Sequence, residues 1–539
     1  MSTSPNIPQP KPAVGFKAPI IIFFLFLCSV LLRTHAFEES IRGGHVWLTA
    51  HTVMTMQIWF EDGLQAHHYS PVYTYNNDAD RNIRSLTSGI PDENGNYYYV
   101  SYGPVSFLLA YLVLKTTGME PSLFALQFLN LIIHFLTSLL IYIILCRFYR
   151  KRVRDAVWVP ALVGSIIYLF SMHPLWCHTY VYFADTLIQL LWASGIYMVI
   201  QLFLYNKIQN WRYVLGFGVL VFVSIQTEWI GLLFAAIVFC FATLYAFKDK
   251  HFFGLMGAIA LATCLALGLF VYQYASINGL DEFLEASFQK YFQRSGYDKE
   301  SWYFTQIELM HVLKHYRRLY YPIAGMILFL LLASFTIKRT RMEKTRKQEF
   351  TLFLSILIVP ILLHHSLFLG FTKIHDFALL KSSLLAAFVI GMLYNRCTFH
   401  AEPDQKKFYH IVSSAIISLM LMLSLLSFYD FDRFEYKYIY ERVASMVKAT
   451  AADDEALFII SERDRENGIM VYIDEHRSIS PQVQMIARRN LLGIAHKSDA
   501  FAHLQRYNLQ KGRIYTISTE GHIITIEPIT IDEAKRPQH

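Results

Sequence analysis

Apolar runs of about the length needed to cross a bilayer recur from residue 18 to residue 428, and clusters of Lys and Arg fall in alternate gaps between them. This alternation leaves little freedom in the fold. Each basic cluster marks a loop kept on the cytoplasmic side, so the clusters fix the direction of every crossing. Arg147, Arg150, Lys151, Arg152 and Arg154 follow the run 123–145, and Lys207 and Arg212 follow 186–204. Lys248 and Lys250 follow 230–247, six basic residues between Lys338 and Lys347 follow 320–337, and Arg396, Lys406 and Lys407 follow 377–394. With outward crossings at 18–32, 157–172, 213–226, 253–275, 350–370 and 408–428, the pattern predicts an all-α polytopic membrane protein of about eleven transmembrane helices. Its N-terminus lies inside and its C-terminus outside. Only 17% of the 539 residues are charged and 54% are hydrophobic, whereas a soluble chain carries roughly 25% charged residues. The net charge of +7 therefore reports topology, not an affinity for nucleic acid.

Residues 1–17 read as a cytoplasmic tail and 18–428 as the membrane domain. The first outward loop, about 34–121, is far too long for a turn between spans. Its aromatic and apolar content argues against disorder. Within it, 44–60 reads as an amphipathic helix lying on the membrane and stopped by Gly63. The run 105–114 is too short to span and reads as an interfacial or re-entrant helix. From 429 to 539 the chain reads as a small outward-facing soluble α/β domain, with helices at 435–448 and 498–507 and strands at 456–461, 469–473, 513–518 and 522–526. The outward loops contain no Asn-x-Ser/Thr acceptor site, which disfavours a eukaryotic lumen and points to a bacterial cytoplasmic (inner) membrane with a periplasmic domain.

Several polar residues fall at outward lips, where carboxylates and cations are costly unless paired or employed. Glu38 and Glu39 follow the first span and suit a general base or a metal ligand, or simply a solvated loop start. Asp62 closes the apolar helix. Asp185, in Tyr-Val-Tyr-Phe-Ala-Asp-Thr-Leu, stands at the start of a span, where it suits catalysis, an N-cap, or both. Glu228 occupies a tight outward turn and is expected close to Asp185. His364, His365, Lys373, His375 and Lys381 gather around another outward turn, with Lys381 about a turn inside its span and snorkelling outward. Together with Arg317 and Arg318 they offer cations to a phosphate; ordinary interfacial anchoring serves equally well for the arginines. The histidines of the first loop lack the spacing of a helical metal site.

An acidic pair after the first span, a helix behind it, a Tyr-rich stretch ending Tyr102-Gly103-Pro104, Asp185 at the outward start of the fourth span and an outward C-terminal domain together resemble the GT-C superfamily of membrane glycosyltransferases. The protein O-mannosyltransferases and the lipid A aminoarabinose transferases are the nearest in layout. The resemblance implies an inverting transfer of a sugar from a polyprenyl-phosphate donor to a glycan, lipid or protein acceptor at the outer face. It places the general base on Glu39 or Glu38, with Asp62 as a rival, and the second acidic position on Asp185. Glu228, Tyr102 and the cations above would then contact substrate. A divalent metal (Mg or Mn), if used, would sit on Glu39 and Asp185. The family's usual base is Asp, so the glutamates are a departure. A transporter or flippase of lipid-linked saccharides, and a non-catalytic GT-C-like assembly subunit, are the alternatives.

Overall fold

The computed structural model describes residues 17–37, 47–83, 89–150, 158–296, 303–337, 344–399, 403–431, 437–461, 481–494, 496–517 and 523–531. The membrane part runs through α1 (Lys17–Leu31), α2 (Trp47–Asp62), a short hairpin of β1 (Ile90–Pro91) and β2 (Tyr97–Tyr98), α3 (Val105–Thr117), α4 (Leu123–Arg150), α5 (Trp158–Phe170) and α6 (Met172–Tyr180). It continues through α7 (Ala184–Val199), α8 (Trp211–Ile225), α9 (Ile230–Ala246), α10 (His251–Asn278), α11 (Leu280–Ser295), α12 (Tyr303–Phe335), α13 (Lys344–Leu367), α14 (Leu369–Ile374), α15 (Lys381–Phe399) and α16 (Pro403–Phe431).

Among the described residues, α4, α7 (extended to Leu204), α10, α12, α13, α15 and α16 are long and apolar enough to cross a membrane. The pair α5–α6 makes an eighth candidate, bent by 53°. The bend has a local cause. Ser171 is extended, Pro174 supplies no N–H to the helix, and the Met172 N–H instead donates to Ser424 Oγ of α16 at 2.6 Å. The expected count of eleven includes α1, α8 and α9. These are apolar but only 15, 15 and 17 residues long, short of the ~20 that a full crossing needs. Helix α3, at 13 residues, is short as expected.

Helix α2 departs from expectation. It ends at Gly63, whose positive φ of 88° suits the stop. However, every residue from Leu48 to Trp59 is buried, so no broad face lies in lipid. Thr49 Oγ1 donates to the Tyr180 carbonyl at 2.7 Å and accepts from the Tyr182 N–H at 3.0 Å, tying α2 to the α6–α7 turn. A cover that sequence reading did not anticipate closes its other side.

That cover is the C-terminal domain: α17 (Lys437–Thr450), β3 (Ala456–Ser461), α18 (Pro481–Ala487), β4 (Leu491–Gly493), α19 (Lys497–Arg506), β5 (Lys511–Ile517) and β6 (Ile523–Thr530). The sheet order is β4-β3-β5-β6, with β3 parallel to both neighbours and β5–β6 antiparallel. The expected α/β character and most of its elements are present. The expected strand 469–473 lies outside the described residues, and α18 and β4 were not anticipated. Strand alternation builds two cores. Leu457, Ile459, Tyr515 and Ile517 pack against α17 and α18, while Phe458 and Ile514 pack against Ala500 and Leu504 of α19. Ala79 and Ile83 of the first loop complete the second core, so the loop folds as part of this domain.

A polar latch reinforces the join. Arg489 Nε lies 3.0 and 3.1 Å from the two oxygens of buried Asp80, and the Asn490 N–H donates to Asp80 Oδ2 at 3.0 Å. The Asn490 side chain accepts from the Tyr75 N–H at 2.8 Å and donates to the Tyr73 carbonyl at 2.8 Å. Arg488 reaches Glu61 at 3.2 Å. Burial lifts the Asp80 carboxyl to about 6 against the pull of Arg489.

Two outcomes follow from this latch. Arg489→Met, which leaves Asp80 buried without its cation, should cost about 3–5 kcal/mol in denaturant unfolding and raise hydrogen exchange across 72–83. Because the Asp80 pKa is higher folded than unfolded, its contribution is full below about pH 4 and is lost as pH rises through about 6. Melting curves from pH 4.5 to 7.5 should therefore show the wild type losing stability relative to Asp80→Asn, by about 2 kcal/mol over the range.

Candidate active site

Where α2 and the Tyr-rich stretch cover the bundle, four helix ends converge. At one of them Phe183 caps α7, and its N–H lies 3.2 Å from Thr186 Oγ1. The capping role considered for Asp185 thus falls to Thr186. This frees the Asp185 side chain, fully buried in the first turn, to accept from Lys381 Nζ at 2.5 Å. Lys381 opens α15 and lies 3.6 Å from Glu228 Oε1. Glu228 takes a bond from His364 Nε2 of α13 at 3.1 Å, and its other oxygen accepts from the Ile230 N–H at the start of α9 at 2.9 Å. All four side chains are at most 1% exposed. Two carboxylates share one ammonium, which is how charge survives such burial. Asp185 Oδ2 has no hydrogen-bond partner among the described residues.

The structure brings Asp185 and Glu228 together as expected, but through Lys381. That lysine does not snorkel: it is 0% exposed, because two buried carboxylates attract it more strongly than the interface does. His364 joins the same cluster. His365 goes elsewhere, pairing with Tyr316 Oη at 2.8 Å, which in turn meets Ser382 Oγ at 2.6 Å.

The Tyr-rich stretch forms the cover. Tyr99, Tyr102 and Phe107 surround Phe183 with centroid separations of 5.8–5.9 Å. The Tyr102 carbonyl accepts from Tyr274 Oη at 2.7 Å and the Ser101 carbonyl from Trp229 Nε1 at 3.0 Å. Gly103 presses on the Gln226 carbonyl so closely that any Cβ would collide. Beside Tyr102 lies a cation that sequence reading missed, Arg294 near the end of α11. Its guanidinium sits 4.9 Å from the Tyr102 ring and 4.8 Å from the Phe371 ring, and donates to Tyr99 Oη at 3.4 Å. Burial raises the Tyr99 hydroxyl above its usual range, so it stays a neutral donor. Arg294 could have been found from the sequence: it ends an amphipathic stretch after the tenth helix, beside Gly296.

The other expected residues scatter. Glu38 and Glu39 lie outside the described residues. Asp62 bonds within the first loop, to His67 Nε2 at 3.0 Å and Asn76 Nδ2 at 2.9 Å. His375 stacks among Phe371, Phe377 and Trp47. Lys373 is half-buried on α14, and its carbonyl accepts from His315 Nε2 at 2.9 Å. Arg318, exposed, reaches Asp376 at 4.0 Å, and Arg317 is exposed as well. The expected phosphate-binding group is therefore dispersed. Of the two ligands considered for a divalent metal, Glu39 lies outside the described residues and Asp185 is already paired with Lys381. Among the described residues no three His, Cys, Asp or Glu side chains converge to hold an ion.

No protein-family model matches this sequence, and no curated protein matches it at a significant level. Solved structures do match. ArnT from Cupriavidus metallidurans, bound to undecaprenyl phosphate, aligns with a TM-score of 0.57 at 9% identity over 93% of this chain and 93% of that one. The oligosaccharyltransferase AglB from Archaeoglobus fulgidus, in complex with an inhibitory peptide and a dolichol-phosphate, aligns with a TM-score of 0.53 at 10% identity over 93% and 69%. The same enzyme in its apo form gives 0.55 at 10% identity. The chain is thus a helical membrane protein that shares the fold of these solved structures.

Removing the shared ammonium tests the cluster. Lys381→Met strands two buried carboxylates and should cost about 3–5 kcal/mol, measured by thermal unfolding in detergent. The double variant Lys381→Met/Asp185→Leu should be more stable than Lys381→Met alone, which a double-mutant cycle reads directly.

Proposed function

We propose that this chain is an inverting GT-C-type glycosyltransferase, taking a sugar from a polyprenyl-phosphate donor at the outer face of a bacterial cytoplasmic membrane. The observation that carries the reading is the approach of buried Asp185, with one unbonded oxygen, and Arg294 beneath the first-loop cover. The matched structures support a polyprenyl-phosphate donor: ArnT is bound to undecaprenyl phosphate and AglB is in complex with a dolichol-phosphate. In the transfer, an acceptor oxygen attacks the anomeric carbon as the sugar–phosphate C–O bond breaks. The bonding pair leaves with the polyprenyl phosphate, and a carboxylate takes the acceptor proton. Glu39 or Glu38 is the base by resemblance, and Asp185 Oδ2 orients the reacting groups. Arg294, partly buried between the Tyr102 and Phe371 rings, stabilises the departing phosphate. The polar groups gather at the loop end of the bundle, as catalysis requires; a transport path would place them through the middle of the bilayer.

Native mass spectrometry of gently extracted protein should show a co-purifying polyprenyl phosphate. Arg294→Gln should weaken binding of added undecaprenyl phosphate at least tenfold, and unchanged binding removes Arg294 from the site. Asp185→Asn keeps the Lys381–Glu228 pair, so it should fold near normally while losing sugar transfer by a hundredfold or more; full activity would sink the assignment. A cysteine placed at Asn94 should react with an impermeant thiol reagent in intact cells, and labelling only after permeabilisation would reverse the topology.

A further inference from the structure

Next to this cluster, two buried polar groups face an aromatic wall with nothing to bond. The His51 ring of α2 stacks on Tyr73 at 4.0 Å and 16°. Tyr73 in turn packs on Tyr99 at 5.8 Å, the residue that receives Arg294. His51 is 2% and Tyr73 3% exposed. Both His51 Nδ1 and Tyr73 Oη lack a hydrogen-bond partner among the described residues.

Neither residue is loosely held. The Tyr73 N–H donates to the Tyr97 carbonyl at 3.0 Å, and its own carbonyl accepts from Asn490. Its backbone is thus pinned on one side by the hairpin and on the other by the C-terminal domain. An orphaned buried hydroxyl is destabilising, and phenylalanine would avoid that cost with the same stacking. Two such groups in adjacent rings point to a ligand that supplies the missing partners. Burial and Lys290 push the His51 imidazole down to about 3, so it is neutral. Neutral donors and acceptors beside aromatic faces fit hydroxyls on a carbon ring, and the nearby guanidinium fits a phosphate.

We infer that His51 and Tyr73 form a carbohydrate subsite that hydrogen-bonds the hydroxyls of the donor's sugar ring, with Tyr99 between it and the phosphate at Arg294. The inference rests on the donor reading above and adds where the sugar is recognised. It also gives the C-terminal domain a part in that recognition, because Asn490 holds Tyr73 in place.

The test measures binding to the full-length protein by native mass spectrometry. The probes are undecaprenyl phosphate alone and the same lipid carrying glucose, mannose or arabinose. In the wild type, at least one sugar should tighten binding tenfold or more over the bare lipid. Tyr73→Phe and His51→Phe keep the stacked rings and should melt at or above the wild-type temperature, since each removes an orphaned polar atom. Both should bind bare undecaprenyl phosphate as the wild type does, yet lose most of the gain from the sugar. A sugar gain that survives in both variants overturns the subsite. So does a wild type that binds the bare lipid but gains nothing from any of the three sugars. Failure to bind the bare lipid at all overturns the donor reading instead.

Discussion

One ammonium between two buried carboxylates governs how the loop end of this bundle is assembled. Lys381 opens α15, Asp185 sits in the first turn of α7, and Glu228 accepts from the first N–H of α9 while bonding to His364 of α13. An isolated charge at this depth would cost several kcal/mol, so none of these helix ends can shift without exposing a charge to an apolar neighbour. Helix ends rich in unbonded N–H groups favour carboxylates, which adds to the pairing at Asp185 and Glu228. The cluster thus fixes the floor of the site, and Asp185 Oδ2 remains as an unspent acceptor on that floor.

The cover over the floor is built from parts distant in the chain. Helix α2 would present a continuous apolar surface to water if α18 and the segment around Tyr73–Ile83 did not enclose it. The C-terminal sheet would be short of a core without Ala79 and Ile83. Each half supplies what the other lacks, and Asp80 with Arg489 closes the seam. The domain at the end of the chain is therefore an integral part of the first loop's fold. Its influence on the site runs through Asn490, Tyr73 and His51.

Much of this was legible in the sequence, for identifiable reasons. Bilayer thickness imposes length on apolar runs, and charge bias imposes direction, so the long spans stand out. Asp185 and Glu228 were visible because carboxylates at hydrophobic lips are rare. The orientation of Lys381 was not, since a lysine one turn inside a span can reach water or a buried anion, and only the partner decides. The surface placement of α2 failed for a similar reason: an apolar helix with scattered polar residues suits a membrane surface or a two-sided cover alike. Arg294 ends an amphipathic stretch that was absorbed into a long outward loop, and α18 and β4 were too short to show a period.

Identity of 9–10% with ArnT and AglB over 93% of this chain means that almost entirely different side chains reach the same helical layout. Lipid-facing positions require only bulk and apolarity, and helix packing tolerates many combinations of both. Such a fold fixes where a reaction can occur without fixing which one. What distinguishes this chain is the small set of groups that general packing does not require. Tyr73 Oη and His51 Nδ1 remain unbonded where apolar rings would be more stable, Asp185 keeps one oxygen unbonded beside Lys381, and Arg294 is held between two rings. Retaining such groups lowers stability. They are spread over α2, the first loop, α7 and α11, so a cost in packing cannot be traced to any one helix. Their common feature is their place between floor and cover, around Tyr99, which packs on Tyr73 and receives Arg294.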